Sequence, residues 1–289
     1  MNDTPTPNSE RKKKDPYHTA AFSAFKFFLR DYVNRGVVTL EDEKHLSQSP
    51  LKIDFMIIKK APDVVIKRGW GKIMRGHNVV EYKSPVAPAT SLHVFDKVVN
   101  GYVGVYAEQN KIRLTDMSAT IICYKKPKTL FETLKRDFYY EILHEGDGIY
   151  YIKLKGVPIE KSLAVQVVVS SELSDDDLEL KAIMRKLEAE IAKKVANRYL
   201  TKDKKVPPEL NQWVNFMYLK EFDTLTEELE MNEKRQIRKM MKYFDEKGFL
   251  TEFKNETMQE GMQRGMQKVF ALLEKGYSLT EAKEKLQLV

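Results

Sequence analysis

The longest apolar runs in this chain are short. Phe55-Met56-Ile57-Ile58 and Val165 to Val169 have the length of strands. No run approaches the roughly 18 to 20 apolar residues that cross a bilayer. Between the strand-length runs lie stretches with helical spacing, and this alternation points to an α/β fold. Phe22, Phe25, Leu29 and Val33 recur at helical intervals, so a helix is expected from Tyr17 to about Val33, stopped by Asn34-Arg35-Gly36. Val37 to Leu46 and Lys52 to Lys60 read as strands, the second bracketed by Pro50 and Pro62. Asp63 to His77 holds Gly69, Gly71 and Gly76 and reads as an irregular connection with a short helical turn.

A strand from Asn78 to Ser84 follows, ended by Pro85, and then a helix from Ser91 to about Glu108. Met117 to Tyr124 is apolar enough for a buried strand. Thr129, with Glu132 three residues on, predicts a capping box at the start of a helix. Gly146-Asp147-Gly148 marks a hairpin between Tyr139–Leu143 and Ile149–Leu154. The order is α-β-β-β-α-β-α-β-β, with Val165 to Val169 as a last buried strand. From Ser174 onward the pattern is almost wholly helical, opened by the N-cap cluster Ser174-Asp175-Asp176-Asp177. The expected organisation is a disordered basic tail (1–15), an α/β domain (16–172), a helical region (173–255) and amphipathic C-terminal helices (256–289). In the last segment Met258, Met262 and Met266 form one helical stripe, and Gly261 and Gly265 would allow close approach of another helix, an expected route to a homo-oligomer.

With 42% hydrophobic residues the chain has material for a core, and its net charge of +7 weakly favours an anionic partner. A lone cysteine, Cys123, excludes an internal disulfide framework and a multi-cysteine zinc site and suits a reducing, cytoplasmic compartment. The N-terminus lacks an apolar core and does not read as a secretory signal. No membrane partner is expected. His18, His45, His77, His93 and His144 form no zinc-helix pair. Gly69-Trp70-Gly71-Lys72 lacks P-loop spacing, and there is no Gly-x-Ser-x-Gly elbow.

The residues with chemical promise are Asp54, Glu81 and Lys83. On a strand, Glu81 and Lys83 share one face and Tyr82 takes the other. Asp54 and Glu81 each interrupt an apolar run, and a buried carboxylate is costly without a partner, a proton or a cation. If the two strands are neighbours, the acids converge, and a divalent cation relieves their repulsion. Oxygen-only ligation suits Mg²⁺ or Mn²⁺. Such a site neutralises a phosphate and acidifies a bound water, while Lys83 holds that water and offsets charge, which amounts to phosphodiester hydrolysis. The alternative is a salt bridge, such as Glu81 with Lys52 or Lys83, on a solvated strand face. Glu-x-Lys also occurs at Glu10, Glu179, Glu252 and Glu281, but only Glu81 lies on an expected strand after an Asp-bearing one. Lys52 to Lys83 carries eight basic residues and three acids, a basic surround suited to a polyanion.

Leu51 to Lys60, followed by His77-Asn78-Val79-Val80-Glu81-Tyr82-Lys83-Ser84-Pro85, resembles the PD-(D/E)XK nuclease superfamily. Within it the chain resembles the bacterial recombination-promoting nuclease and putative transposase group, whose C-terminal tails the repeat Gly261-Met262-Gln263 and Gly265-Met266-Gln267 also resembles. The resemblance implies a restriction-endonuclease-like α/β/α core with a mixed central sheet, followed by a helical C-terminal extension. It also implies a Mg²⁺-dependent DNA endonuclease, with Asp54 and Glu81 as metal ligands and Lys83 as the catalytic lysine. Ile53 stands where the family name has proline. Glu43 is the preferred further metal ligand, ahead of Asp31. A nuclease-fold protein without activity that binds nucleic acid or protein is the alternative, and an RNA-directed protein a third reading.

Overall fold

In a computed structural model of the chain, the described residues are 16–42, 56–87, 90–184, 187–199, 206–214 and 216–217. The chain divides into two compact units, residues 1–237 and 238–289, and the second lies wholly outside the described residues. The Met258/Met262/Met266 stripe, the glycines beside it and the basic tail fall outside them too.

The fold is α/β, built on a seven-stranded mixed sheet in the order β1-β2-β3-β4-β7-β6-β5. The strands are β1 (Val38–Asp42), β2 (Met56–Lys60), β3 (His77–Tyr82), β4 (Met117–Cys123), β5 (Tyr140–Gly146), β6 (Ile149–Leu154) and β7 (Ala164–Val169). β3, β4 and β7 run parallel at the centre, and every other pairing is antiparallel. Central parallel strands are covered on both faces, which is why β4 and β7 are buried at every position and are mostly apolar. Their polar side chains hydrogen-bond inside the sheet. Asn78 donates its amide to Ile58 O and Arg75 O, Ser118 donates to Asn78, and Gln166 donates to Trp70 O and to Thr120. Unpaired, each such group would cost on the order of 1–3 kcal/mol.

Helices cover both faces. α1 (Pro16–Asn34) lies on the face of Tyr82: the His18 ring meets Tyr82 edge-on at 5.8 Å, and Phe25 and Phe28 pack on Trp70. The opposite face receives α2 (Leu92–Asp96), a π-helical stretch (Lys97–Tyr102) and α3 (Val103–Asn110), which together make one continuous helix. Ser91 caps it by accepting from the Val94 N–H, and Lys111 ends it in the left-handed region at φ 53°. Tyr102 and Tyr106 are buried in this layer. α4 (Lys128–Asp137) shares the face, with Phe131 against Tyr150. The expected capping box is absent. α4 begins one residue before Thr129 with Pro127 at the cap, a position where the missing N–H costs nothing.

The expected strands and hairpin are present, displaced by up to three residues at their ends, and the parts at 43–46 and 52–55 lie outside the described residues. After β7, α5 (Leu178–Lys181), α6 (Ala189–Tyr199) and a 3₁₀ turn at Pro208–Leu210 continue the chain. Trp213 donates its indole N–H to Glu179 O (2.7 Å) and its backbone N–H to Ser23 Oγ (3.2 Å), and the Phe216 ring lies 4.9 Å from Tyr17. This helical segment therefore packs on α1. No described helix is long and apolar enough to cross a membrane.

Candidate metal centre

Because β3, β4 and β7 are parallel, their carboxyl ends gather at one end of the sheet, the place where open α/β sheets bind ligands. Glu81-Tyr82-Lys83 sits there. Lys83 donates its backbone N–H to Ile122 O (2.7 Å), which holds the end of β3 against β4. Strand alternation sends Tyr82 toward α1, where its hydroxyl donates to Ile183 O (3.4 Å). Glu81 is sent to the α2–α3 face and is only 1% exposed.

The Lys83 ammonium stands 2.5 Å from Glu81 Oε1, with 21% of its side chain exposed. Neither oxygen of Glu81 has a hydrogen-bond donor of proper geometry among the described residues. The solvated salt bridge weighed from sequence is thus half present. The partner is Lys83, but the carboxylate is buried. This leaves a desolvated anion with open lone pairs and one cation alongside.

Glu179, in the only other described strand- or helix-borne Glu-x-Lys, provides the contrast. It is equally buried, yet its Oε1 accepts from Arg198 (3.1 Å) and from the Tyr199 hydroxyl. Burial and the facing carboxylate hold that phenol well above its ordinary pKa. Among the described residues, one oxygen of Glu179 thus has two donors and its Oε2 has none, whereas neither oxygen of Glu81 has a hydrogen-bond donor.

Asp54 and Glu43 lie outside the described residues. Met56, two positions after Asp54 in the chain, pairs with Val80, the residue before Glu81. Asp31 is exposed in α1 and pairs with Arg30 (3.5 Å). Among the described residues no three His, Cys, Asp or Glu side chains gather to hold a metal ion.

The basic window before Lys83 is largely consumed by the fold. Lys59 pairs with Glu41, whose hydrogen bond raises its pKa. Lys60 donates to Ala61 O and Val64 O, and burial lowers its pKa. Arg75 donates to Thr115 O, Ser162 O and Ile159 O, and burial lowers its pKa as well. Arg68 is bound to Asp177 (2.7 Å). A linear count of charge could not reveal these partners.

The sequence reading also missed the role of Asp177, taken as part of an N-cap cluster. It accepts from Arg68 and from the Trp70 indole (3.0 Å), more than a hundred residues away, and no local signal marks it. A cavity of about 820 Å³ opens beside this pair, lined by Arg30, Lys67, Asp176 and Arg198 among others but by neither Glu81 nor Lys83. Its buried acids are matched to its arginines, so its walls read as structural ion pairs. No family model, no curated protein and no solved structure matches the chain.

Proposed function

We propose that the protein is a Mg²⁺- or Mn²⁺-dependent DNA endonuclease with a restriction-endonuclease-like core, acting in recombination or mobile-element biology. The observation that carries this reading is Glu81: a buried carboxylate at the carboxyl end of a parallel strand, with both oxygens open and a lysine two residues on at 2.5 Å. Open carboxylate oxygens are the donor type that hard divalent cations take. Glu81 and Asp54 would hold the ion, with Glu43 as a further ligand. When bound, such an ion supplies charge neutralisation at phosphorus and a more acidic water.

Lys83 has the reach for the remaining task. Its Nζ lies beside the carboxylate and its side chain reaches solvent, so it is placed to orient a water and to stabilise charge on a phosphate oxygen. Nicking of supercoiled plasmid tests the reading. Wild type with Mg²⁺ or Mn²⁺ is expected to nick, and Asp54→Ala and Lys83→Ala are expected to lose the activity. Equal cutting by all three overturns it.

One observation favours a second reading, a nuclease-fold protein without activity that binds nucleic acid or protein. The Glu81–Lys83 pair neutralises itself without a metal. That reading predicts no metal-dependent thermal shift.

A further inference from the structure

We infer that the exposed lysines after β4, Lys125, Lys126 and Lys128, form a track for the DNA backbone leading away from Glu81 and Lys83. The inference rests on the nuclease reading and adds where the substrate lies.

The parallel pairing of β3 with β4 brings Ile122 beside Lys83, so the chain leaving β4 emerges at the same end of the sheet as the candidate site. That chain carries Lys125, Lys126 and Lys128, all exposed. None of the three has a carboxylate within ion-pair distance among the described residues, unlike Lys59 and Arg68. Lys126 is nonetheless held in place, with its Nζ 4.5 Å from the centre of the Tyr150 ring. Tyr150 is itself fixed by Phe131 and by donating its hydroxyl to Glu172 (2.6 Å).

The sheet register supplies the scale. Glu81 pairs with Ile121, Ile121 with Val167, and Val167 with Tyr150, so all four side chains share one face in one row. Three strand spacings place Tyr150 about 14 Å from Glu81. One strand of a duplex advances about 3.4 Å per phosphate along its axis and further along the backbone itself, so a track of this length spans a few successive phosphates. Cations at this spacing position a backbone without reading its sequence.

The test measures binding without cleavage. Anisotropy of a labelled DNA duplex with the full chain in Ca²⁺ gives the slope of log K against log salt between about 50 and 200 mM. Lys125→Ala/Lys126→Ala is expected to weaken binding and to flatten the slope by about 2, close to one unit per lost phosphate contact. Lys125→Arg/Lys126→Arg should keep the slope. So should Arg113→Ala, since Arg113 lies before the amino end of β4. Unchanged melting of each variant by circular dichroism keeps the comparison valid. Wild-type slope in the double alanine variant overturns the track and leaves the nuclease reading untouched. Preference for RNA of equal length, or no polyanion binding by wild type, overturns it as well, while plasmid nicking separately decides the nuclease reading.

Discussion

Removing Lys83 while keeping Glu81 should expose the cost of the buried carboxylate. At 2.5 Å and an effective dielectric near 20, the attraction between the two charges is about 6–7 kcal/mol. Desolvation of the ion pair offsets most of this, so deleting both charges together should be close to neutral. Deleting one is not symmetrical. Glu81→Gln leaves an ammonium that already reaches water, and should cost less than about 1 kcal/mol or stabilise. Lys83→Met leaves a carboxylate with no donor and almost no exposure. Breaking a buried pair in this way costs about 3–5 kcal/mol. The loss should therefore be about 3–5 kcal/mol, or about 6–20 °C in Tm at this size. Urea and thermal unfolding of wild type, both single variants and the double variant, with chelator, measures the full cycle. Adding Mg²⁺ at ten times its Kd should return about 1.4 kcal/mol to Lys83→Met. A loss below about 1 kcal/mol would refute the account of Glu81 as an anion short of partners.

Cys123 gives a pH prediction. Burial pushes its thiol up to about 12 against an ordinary 9.0, and the thiol donates to Lys125 O (3.3 Å). The folded chain keeps the proton where the unfolded chain releases it. This contribution is therefore complete below about pH 9 and is lost as pH rises toward 12, at up to about 1.4 kcal/mol per unit. Cys123→Ala should flatten that alkaline loss in urea midpoints, and a thiol reagent should react with wild type only on unfolding. Gly148 has φ +72°, and a Cβ there would lie 2.5 Å from Val169 O, so Gly148→Ala should cost about 2 kcal/mol or more in denaturant titration. Gly104 faces open space inside α3, so Gly104→Ala should gain about 0.5–1 kcal/mol in the same assay. Asp177→Ala strands Arg68 and the buried Trp70 indole and should cost about 2–3 kcal/mol, and Asp177→Asn less, both read from Tm.

Local pattern carried far in this chain and then stopped at contacts between distant segments. The strand character of Met117–Cys123 and Ala164–Val169 was legible because strands buried on two faces need continuous apolar residues. The hairpin at Gly146–Gly148 was legible because both glycines take positive φ. Alternation alone put Glu81 and Lys83 on one face, and the structure brings them together. The depth of Glu81's burial was not legible, since it depends on helices packed from later in the chain. Nor was the fate of the basic window. Arg75 is taken up by carbonyls at Thr115, Ile159 and Ser162, and Arg68 by Asp177, partners set by tertiary packing. The capping box failed because Pro127, two residues before Thr129, takes the cap position.

The parallel centre of the sheet also governs when the carboxylate loses its water. Val79 rests against Ala119 and Ala119 against Val165, so each central pairing closes a loop of about forty residues. The β5–β6 hairpin, by contrast, joins neighbours in the chain and has little entropy to overcome. On these loop lengths Glu81 is expected to stay hydrated through early collapse and to meet its dry surroundings as the long-range pairings form. Changes at Glu81 and Lys83 should consequently appear in the unfolding rate and leave the refolding rate nearly untouched, a signature that stopped-flow chevrons can read.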